Sequence, residues 1–142
     1  MDISDQRVKH LELVAEVITR LAQNSFAVRG WSVTLVSVLF ALIAAKDAPP
    51  VAALITLLPA GVFWGLDAYY LRQERLFRKL YQTAADTLAG GTAQVRVFSM
   101  DVTPYATGTP SWAATLVSRT VVPIPIVLVG IAIGYVVVAG SR

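Results

Sequence analysis

The sequence predicts an all-α membrane protein with three transmembrane helices, a cytoplasmic N-terminal amphipathic helix and a long cytoplasmic extension of the second span. Composition is the first reason, because 56% of the 142 residues are hydrophobic and only 15% are charged, against about 25% charged in soluble domains. The second is that the apolar residues form three long uncharged runs. The third is that most lysines and arginines lie on one side of those runs.

Composition also excludes several kinds of site. The chain has no cysteine, which excludes disulfides, thiolate metal sites and cysteine nucleophiles. A single histidine, His10, leaves no histidine-based metal cluster and no Ser-His-Asp triad. Walker A, zinc-protease, nucleophile-elbow and dinucleotide motifs are all missing. We therefore expect a protein that is not an enzyme and that binds no metal or cofactor.

The first predicted element is an amphipathic helix over residues 4–29. Leu11, Val14, Ile18 and Leu21 recur at spacings of three and four residues, which places them on one helical face. This helix either lies on the membrane surface or packs against the extension of the second span. Basic surface anchors carry more lysine on the polar face, so we favour packing against protein.

The first two predicted spans form a hairpin. Span one is Gly30 to Ala45, whose 16 uncharged residues extend about 24 Å, slightly less than a hydrocarbon core of about 30 Å. Span two is Ala48 to Leu66, and its early prolines, Pro49 and Pro50, suit a helix N-terminus. Lys46 and Asp47 are therefore predicted to form the tight tip between two antiparallel spans.

Span two is predicted to continue as a helix beyond the membrane. Residues 67–89 contain no proline or glycine, and Gly90-Gly91 then ends the helix. Twenty-three helical residues extend about 34 Å. A projection of this length needs a partner, and the N-terminal helix is the one available within the chain.

The segment 92–110 breaks the helical pattern and is predicted to be a short strand or an extended loop, because Val95 and Val97 alternate with polar neighbours. Ser111 then starts a short amphipathic segment that ends at Arg119. The third span is Val121 to Ala139, with 19 uncharged residues. The predicted regions are therefore the N-terminal helix at 1–29, the hairpin at 30–71, the cytoplasmic segment at 72–119 and the third span at 120–142.

The positive charges predict the orientation. Of the 12 lysines and arginines, only Lys46 and Arg142 fall on the far side of the spans. Under the positive-inside rule this places the N-terminus in the cytoplasm and the C-terminus outside, in a bacterial inner membrane. Trp31, Trp64 and Trp112 fall at or just before the inner span ends, where an interfacial aromatic belt lies.

Asp67 is the one carboxylate close to the inner end of a span, and it has two interpretations. It is either an ion-pathway or gating residue, or the partner of Arg29 or Arg72 in an interfacial ion pair, and its place near the tryptophans favours the pair. A basic cluster follows it on the extension, formed by Arg72, Arg75, Arg78 and Lys79. Binding of acidic lipid headgroups accounts for this cluster, and a nucleotide or nucleic acid is the less favoured ligand, because no glycine-rich loop accompanies it.

Two GxxxG motifs lie inside predicted spans, namely Gly61 with Gly65 and Gly130 with Gly134. Such spacing lets helix backbones approach closely. The contact is either within one chain or between chains, and three spans alone make a thin bundle. Hydroxyl residues in span one, Ser32, Thr34 and Ser37, either line a narrow pore in an oligomer or bond to the carbonyl four residues earlier.

Three sequence blocks stand out, namely NSFAVRGW (24–31), FWGLDAYYLRQERLFRKLY (63–81) and FSMDVTPY (98–105). They resemble a family of small bacterial membrane proteins without an established activity. The resemblance covers most of the chain and implies a bacterial membrane protein. The layout is also similar to SLATT-type membrane effectors of bacterial conflict systems, in which an N-terminal helix precedes a helical hairpin with a cytoplasmic extension; the present chain adds a third span.

These features predict an oligomeric inner-membrane effector of anti-phage defence that forms a pore when a partner or ligand triggers it. The expected partners are membrane lipids, further copies of the chain and a cytoplasmic protein, with no direct binding of nucleic acid. The alternative is a non-conducting membrane anchor or scaffold that recruits a cytoplasmic partner. A secondary transporter is not supported, because neither inverted repeats nor midplane binding groups are visible.

Overall fold

The computed structural model describes residues 2–46, 48–92 and 95–141, and within these ranges the chain is helical without any strand. Helix α1 spans Ile3–Ala45, a 3₁₀ segment Pro50–Thr56 leads into α2 at Leu57–Leu88, and α3 and α4 follow at Trp112–Leu116 and Pro123–Gly140. Three helical stretches are long and apolar enough to cross a membrane: α1, the 3₁₀ segment with α2, and α4. The predicted fold class is thus confirmed at the level of three apolar helices.

Helix α1 joins two regions that the sequence analysis treated in turn. It runs for 43 residues without interruption through Gly30, so the N-terminal amphipathic helix and the first apolar run are one rod. Asp2 begins the helix with a capping box, in which its side chain accepts a hydrogen bond from the Ile3 N–H and Asp5 accepts from the Asp2 N–H. These bonds satisfy two of the donors that a helix start leaves unpaired.

Helices α1 and α2 pack as an antiparallel hairpin along most of their length. Arg7 and His10 near the start of α1 lie beside Ala84 and Thr87 near the end of α2, whereas Val36 lies beside Ala60. The seam on α1 includes residues seven and four apart, which is coiled-coil spacing: Ser25, Ser32, Val36 and Ile43. The N-terminal half of α1 therefore packs on the extension of α2, and we call residues 3–29 and 67–88 together the polar half of the hairpin.

The turn into the hairpin and the end of α2 follow the local sequence signals. Lys46 is the C-cap of α1, and the predicted tip residue Asp47 lies outside the described residues, as does Arg142. The 3₁₀ segment carries proline in its first positions. Beyond α2, Gly90 adopts φ +88°, the left-handed conformation that glycine provides after a helix C-terminus.

The segment after Gly91 folds back along α2 as an irregular loop. It contains a 3₁₀ turn at Thr103–Tyr105, and its described residues form no strand, so of the two alternatives for 92–110 the loop is the one observed; Ala93 and Gln94 lie outside the description. Ser111 then caps α3, because its hydroxyl accepts a hydrogen bond from the Ala114 N–H at 3.2 Å.

Helix α4 packs against the apolar half of the hairpin. It begins at Pro123, two residues after the predicted start, because Pro123 and Pro125 fit the first turn of a helix, where no amide hydrogen bond is lost. Leu128 packs in a small core with Val36 and Ala60, and the rings of Tyr135 and Phe40 meet edge to face at 5.9 Å. Much of α4 remains uncovered by the rest of the chain.

Candidate functional site

The structure joins Asp67 to Arg29 at the level where the polar half of the hairpin meets its apolar half. The Nε of Arg29 donates to Oδ2 of Asp67 at 2.8 Å. The hydroxyl of Ser25, one helical turn before Arg29, donates to Oδ1. Asp67 is only 4% exposed, so both carboxylate oxygens are occupied within the hairpin.

This geometry corresponds to the ion-pair interpretation of Asp67. A buried carboxylate is costly unless it is paired and hydrogen-bonded, and here a guanidinium and a hydroxyl from α1 supply both partners. A small cavity of about 10 Å³ adjoins the pair between α1, α2 and the start of α4, with Ser32, Phe63 and Ile124 among its walls. It has room for about one water molecule. Chemically, the cluster can fix the register of the two helices and hold a single water.

Ser25 was missed by the sequence analysis, although a signal was available. Residues four apart on a helix lie on the same face, so Ser25 and Arg29 necessarily face the same neighbour. A carboxylate that meets Arg29 is therefore within reach of Ser25 as well. The pairing of Arg29 with Asp67 rather than Arg72 follows from the register of the hairpin, which one helix alone does not define.

Two tryptophans tie α3 to α2 beside this cluster. The Nε1 of Trp64 donates to the Leu116 carbonyl oxygen at 3.0 Å, and the Nε1 of Trp112 donates to the Gly65 carbonyl oxygen at 3.1 Å. Trp31 is exposed two residues after Arg29. All three indoles thus lie near the level of the Arg29–Asp67 pair, which is the arrangement of an interfacial belt.

The predicted basic cluster does not form one free surface. Arg78 pairs with Glu74 at 2.7 Å, Arg72 donates to the Pro110 carbonyl oxygen at 3.3 Å, and the ammonium of Lys79 donates to the Gly108 carbonyl oxygen. Arg75 is half-buried on the same helix. Two of the four cations therefore hold the loop against α2, which leaves them less available to a lipid or nucleotide.

The four GxxxG glycines differ in their surroundings. A Cβ at Gly65 would lie 3.5 Å from the Trp112 ring, whereas a Cβ at Gly61, Gly130 or Gly134 would meet no atom within 4 Å. Packing within the chain thus accounts for Gly65 alone. Gly61, Gly130 and Gly134 are exposed, so any close helix contact that they make involves another molecule.

A second polar cluster, also missed by the sequence analysis, lies at the far end of the polar half. His10 is 2% exposed, and its Nδ1 accepts a hydrogen bond from the Phe98 N–H at 2.6 Å. Phe98 has φ 63°, which is strained for an aromatic residue. Burial lowers the pKa of His10, since burial disfavours the charged imidazolium.

The cluster around His10 also contains atoms that lack partners. Because Nδ1 accepts, the neutral imidazole carries its proton on Nε2. Neither that atom nor the buried Nε of Arg7 has a hydrogen-bond partner among the described residues. His10 therefore anchors the loop to α1. Nothing in the sequence around His10 indicated this contact.

Comparison of the chain with protein-family models, with curated proteins and with solved structures found no match.

Proposed function

We propose that this protein is an oligomeric effector of the bacterial inner membrane that acts in anti-phage defence by forming a pore when a partner or ligand triggers it. The observation that carries the proposal is the outer face of α4. Gly130 and Gly134 lie four residues apart and are exposed, while the buried residues of the helix, among them Leu128 and Ala132, lie on the opposite side.

Exposed glycines inside an apolar helix favour association between subunits. Glycine in a helix interior is about 0.5–1 kcal/mol less favourable than alanine, and the present fold gains no packing from Gly130 or Gly134, because a Cβ at either would meet nothing within 4 Å. In a bilayer, such small residues let a second helix approach closely. Self-association through α4 makes use of this surface.

The hydroxyls of the first span support a polar path between subunits. Thr34 and Ser37 are exposed on the apolar half of α1, and no hydrogen bond to either hydroxyl occurs within the described part of the chain. Of the two interpretations of these hydroxyls, the bond to the carbonyl four residues earlier is therefore not observed at Thr34 or Ser37. Hydrocarbon offers a hydroxyl no partner, whereas a neighbouring subunit or a water-filled pore does.

The proposed orientation places the polar half of the hairpin in the cytoplasm, the N-terminus inside and the C-terminus outside. Support comes from the distribution of cations, since ten of the 12 lysines and arginines belong to the polar half or to the segments that follow it before α4. The cytoplasmic side of bacterial spans carries this excess.

Ion flux and particle symmetry test the proposal together. We expect purified protein to form closed rings in detergent and to release ions from liposomes once activated. The substitution Gly134→Leu should reduce both, because the larger side chain keeps helices apart, whereas Ile131→Leu, an isomeric change at an exposed position of the same helix, should reduce neither. A monomer that conducts nothing under any activating partner or nucleotide would contradict the proposal.

A non-conducting scaffold remains the second candidate, and the anchored loop favours it. Lys79 and Arg72 hold the loop carbonyls against α2, and His10 holds Phe98, so the loop presents a fixed surface that includes exposed Phe98 and Met100. A stable cytoplasmic partner that is lost on Phe98→Ser, combined with a non-conducting monomer or dimer, would favour the scaffold over the pore.

A further inference from the structure

An apolar groove opens on the surface between α2, the turn after α3, and α4. Its walls come from Trp64 on α2, from Val117 and Val122 in the turn, and from Ile126, Val129 and Gly130 on α4, and its volume is about 650 Å³. Gly130 also belongs to the face of α4 proposed for contact between subunits. The indole N–H of Trp64 already donates to the Leu116 carbonyl oxygen. The side chains of the walls thus leave no free donor, and whatever fills the groove must be apolar where it touches them.

The tryptophans indicate the depth that the groove would have in a bilayer. Trp64 lies at the level of the Arg29–Asp67 pair and the other indoles, where tryptophans mark the boundary between headgroups and hydrocarbon. From this level the groove follows α4, which carries no charged residue from Pro123 to Gly140. One end therefore lies at headgroup depth, and the other lies in hydrocarbon.

A cation stands at the headgroup end of the groove. The Ser118 carbonyl oxygen accepts hydrogen bonds from the N–H groups of Val121 and Val122 at 3.0 and 3.1 Å, which closes a tight turn that contains the exposed Arg119. Val117 and Val122 flank this turn and both line the groove. The described residues include no ion-pair partner for Arg119.

We propose that the groove binds an acyl chain of an anionic phospholipid and that Arg119 binds the phosphate of the same molecule. An apolar groove with one unpaired cation at its headgroup end complements such a lipid in both shape and charge. A zwitterionic lipid fills the groove equally well but gains less from Arg119, because its own cationic headgroup offsets the phosphate. The site is separate from the basic cluster on α2, two of whose cations hold the loop.

Native mass spectrometry of the full chain in detergent tests this assignment with phosphatidylglycerol and phosphatidylcholine at equal concentration. A basic residue near an anionic lipid surface contributes about 1 kcal/mol, so we expect Arg119→Gln to lower retention of phosphatidylglycerol about five-fold and to remove the preference for it. The matched control Arg96→Gln removes an exposed arginine from the loop and should leave retention unchanged.

Filling the groove gives the second arm of the test. Val129→Trp should abolish retention of both lipids, and Val117→Trp provides an independent variant at an exposed position that tolerates a larger side chain. Val137→Trp, exposed on α4 away from the groove, should have no effect. Equal retention of both lipids by the unsubstituted protein, or unchanged retention in both groove variants, would overturn the assignment. Cross-linking of Val117→Cys, which lies in the turn rather than on α4, to a second copy would also overturn it, by showing that protein fills the groove.

Discussion

At the scale of single residues, the buried cluster of Asp67 with Arg29 and Ser25 joins the two helices of the hairpin. Removing one member of a buried ion pair leaves an uncompensated charge and costs about 3–5 kcal/mol. We therefore expect Asp67→Ala to lower the melting temperature in detergent strongly. The matched control is Glu12→Gln, which breaks the exposed pair with Lys9 and should cost under about 1 kcal/mol.

A double substitution separates pairing from other effects of the aspartate. In Arg29→Ala combined with Asp67→Ala, neither buried charge is left alone, so the destabilisation should be clearly smaller than the sum of the two single effects. Strict additivity of the melting data would show that the two side chains do not stabilise the hairpin as a pair.

His10 gives stability a dependence on pH. Because burial lowers its pKa in the folded chain, the unfolded chain binds a proton more readily below the ordinary histidine pKa of about 6.5. Stability should therefore be fully present above that value and fall as the pH decreases below it.

The substitution His10→Asn isolates this effect, since the asparagine carbonyl can still accept from the Phe98 N–H but does not titrate in this range. Thermal unfolding followed between pH 7.5 and pH 5 should show a smaller loss of stability for the variant than for the unsubstituted protein. Equal slopes in the two proteins would assign the acid sensitivity to other groups.

The sequence predicted some of these residues and not others. Asp67 and Arg29 stood out because charges beside apolar runs are rare. Ser25 and the contact of His10 with Phe98 depend on the register of α1 against α2 and on the path of a loop 88 residues away. Local patterns do not contain either piece of information.

At the scale of elements, the glycines of the long hairpin have opposite roles. Gly30 lies in the interior of α1 with open space around it, so Gly30→Ala should raise stability by about 0.5–1 kcal/mol through better helix propensity. Gly90 adopts φ +88°, so Gly90→Ala should lower stability by about 1 kcal/mol. Thermal unfolding of both variants checks whether the two changes in stability have opposite signs. Lower stability of Gly30→Ala would mean that α1 is interrupted at residue 30.

The ends of the helices followed from sequence more reliably than their continuity. Pro50, Gly90 and Ser111 were predicted as local start and stop signals, and each acts where it stands. The cap at Asp2 was not predicted, and α4 begins at Pro123, two residues after the predicted start. The fusion of residues 4–29 with the first apolar run was not predicted as one helix, because a change from amphipathic to uniformly apolar composition suggests a boundary even where no residue breaks the helix. The turn residues around Pro104 likewise indicate an irregular loop without defining its path.

At the scale of the whole molecule, the central claim is that the chain crosses the bilayer three times with the polar half of the hairpin inside the cell. The interpretations given above for the ion pair, the tryptophans and the lipid groove all assume this topology. Association through α4 and the anchored loop are separate claims, since either could fail while the topology holds.

Labelling of single cysteines with a membrane-impermeant maleimide in intact bacterial spheroplasts tests that claim most directly, because the chain contains no cysteine of its own. We predict that Lys46→Cys and Ser141→Cys react before lysis, while Glu12→Cys and Thr107→Cys react only after lysis. Reaction of Glu12→Cys in intact spheroplasts, or protection of Ser141→Cys until lysis, would contradict the three-span topology proposed for this chain.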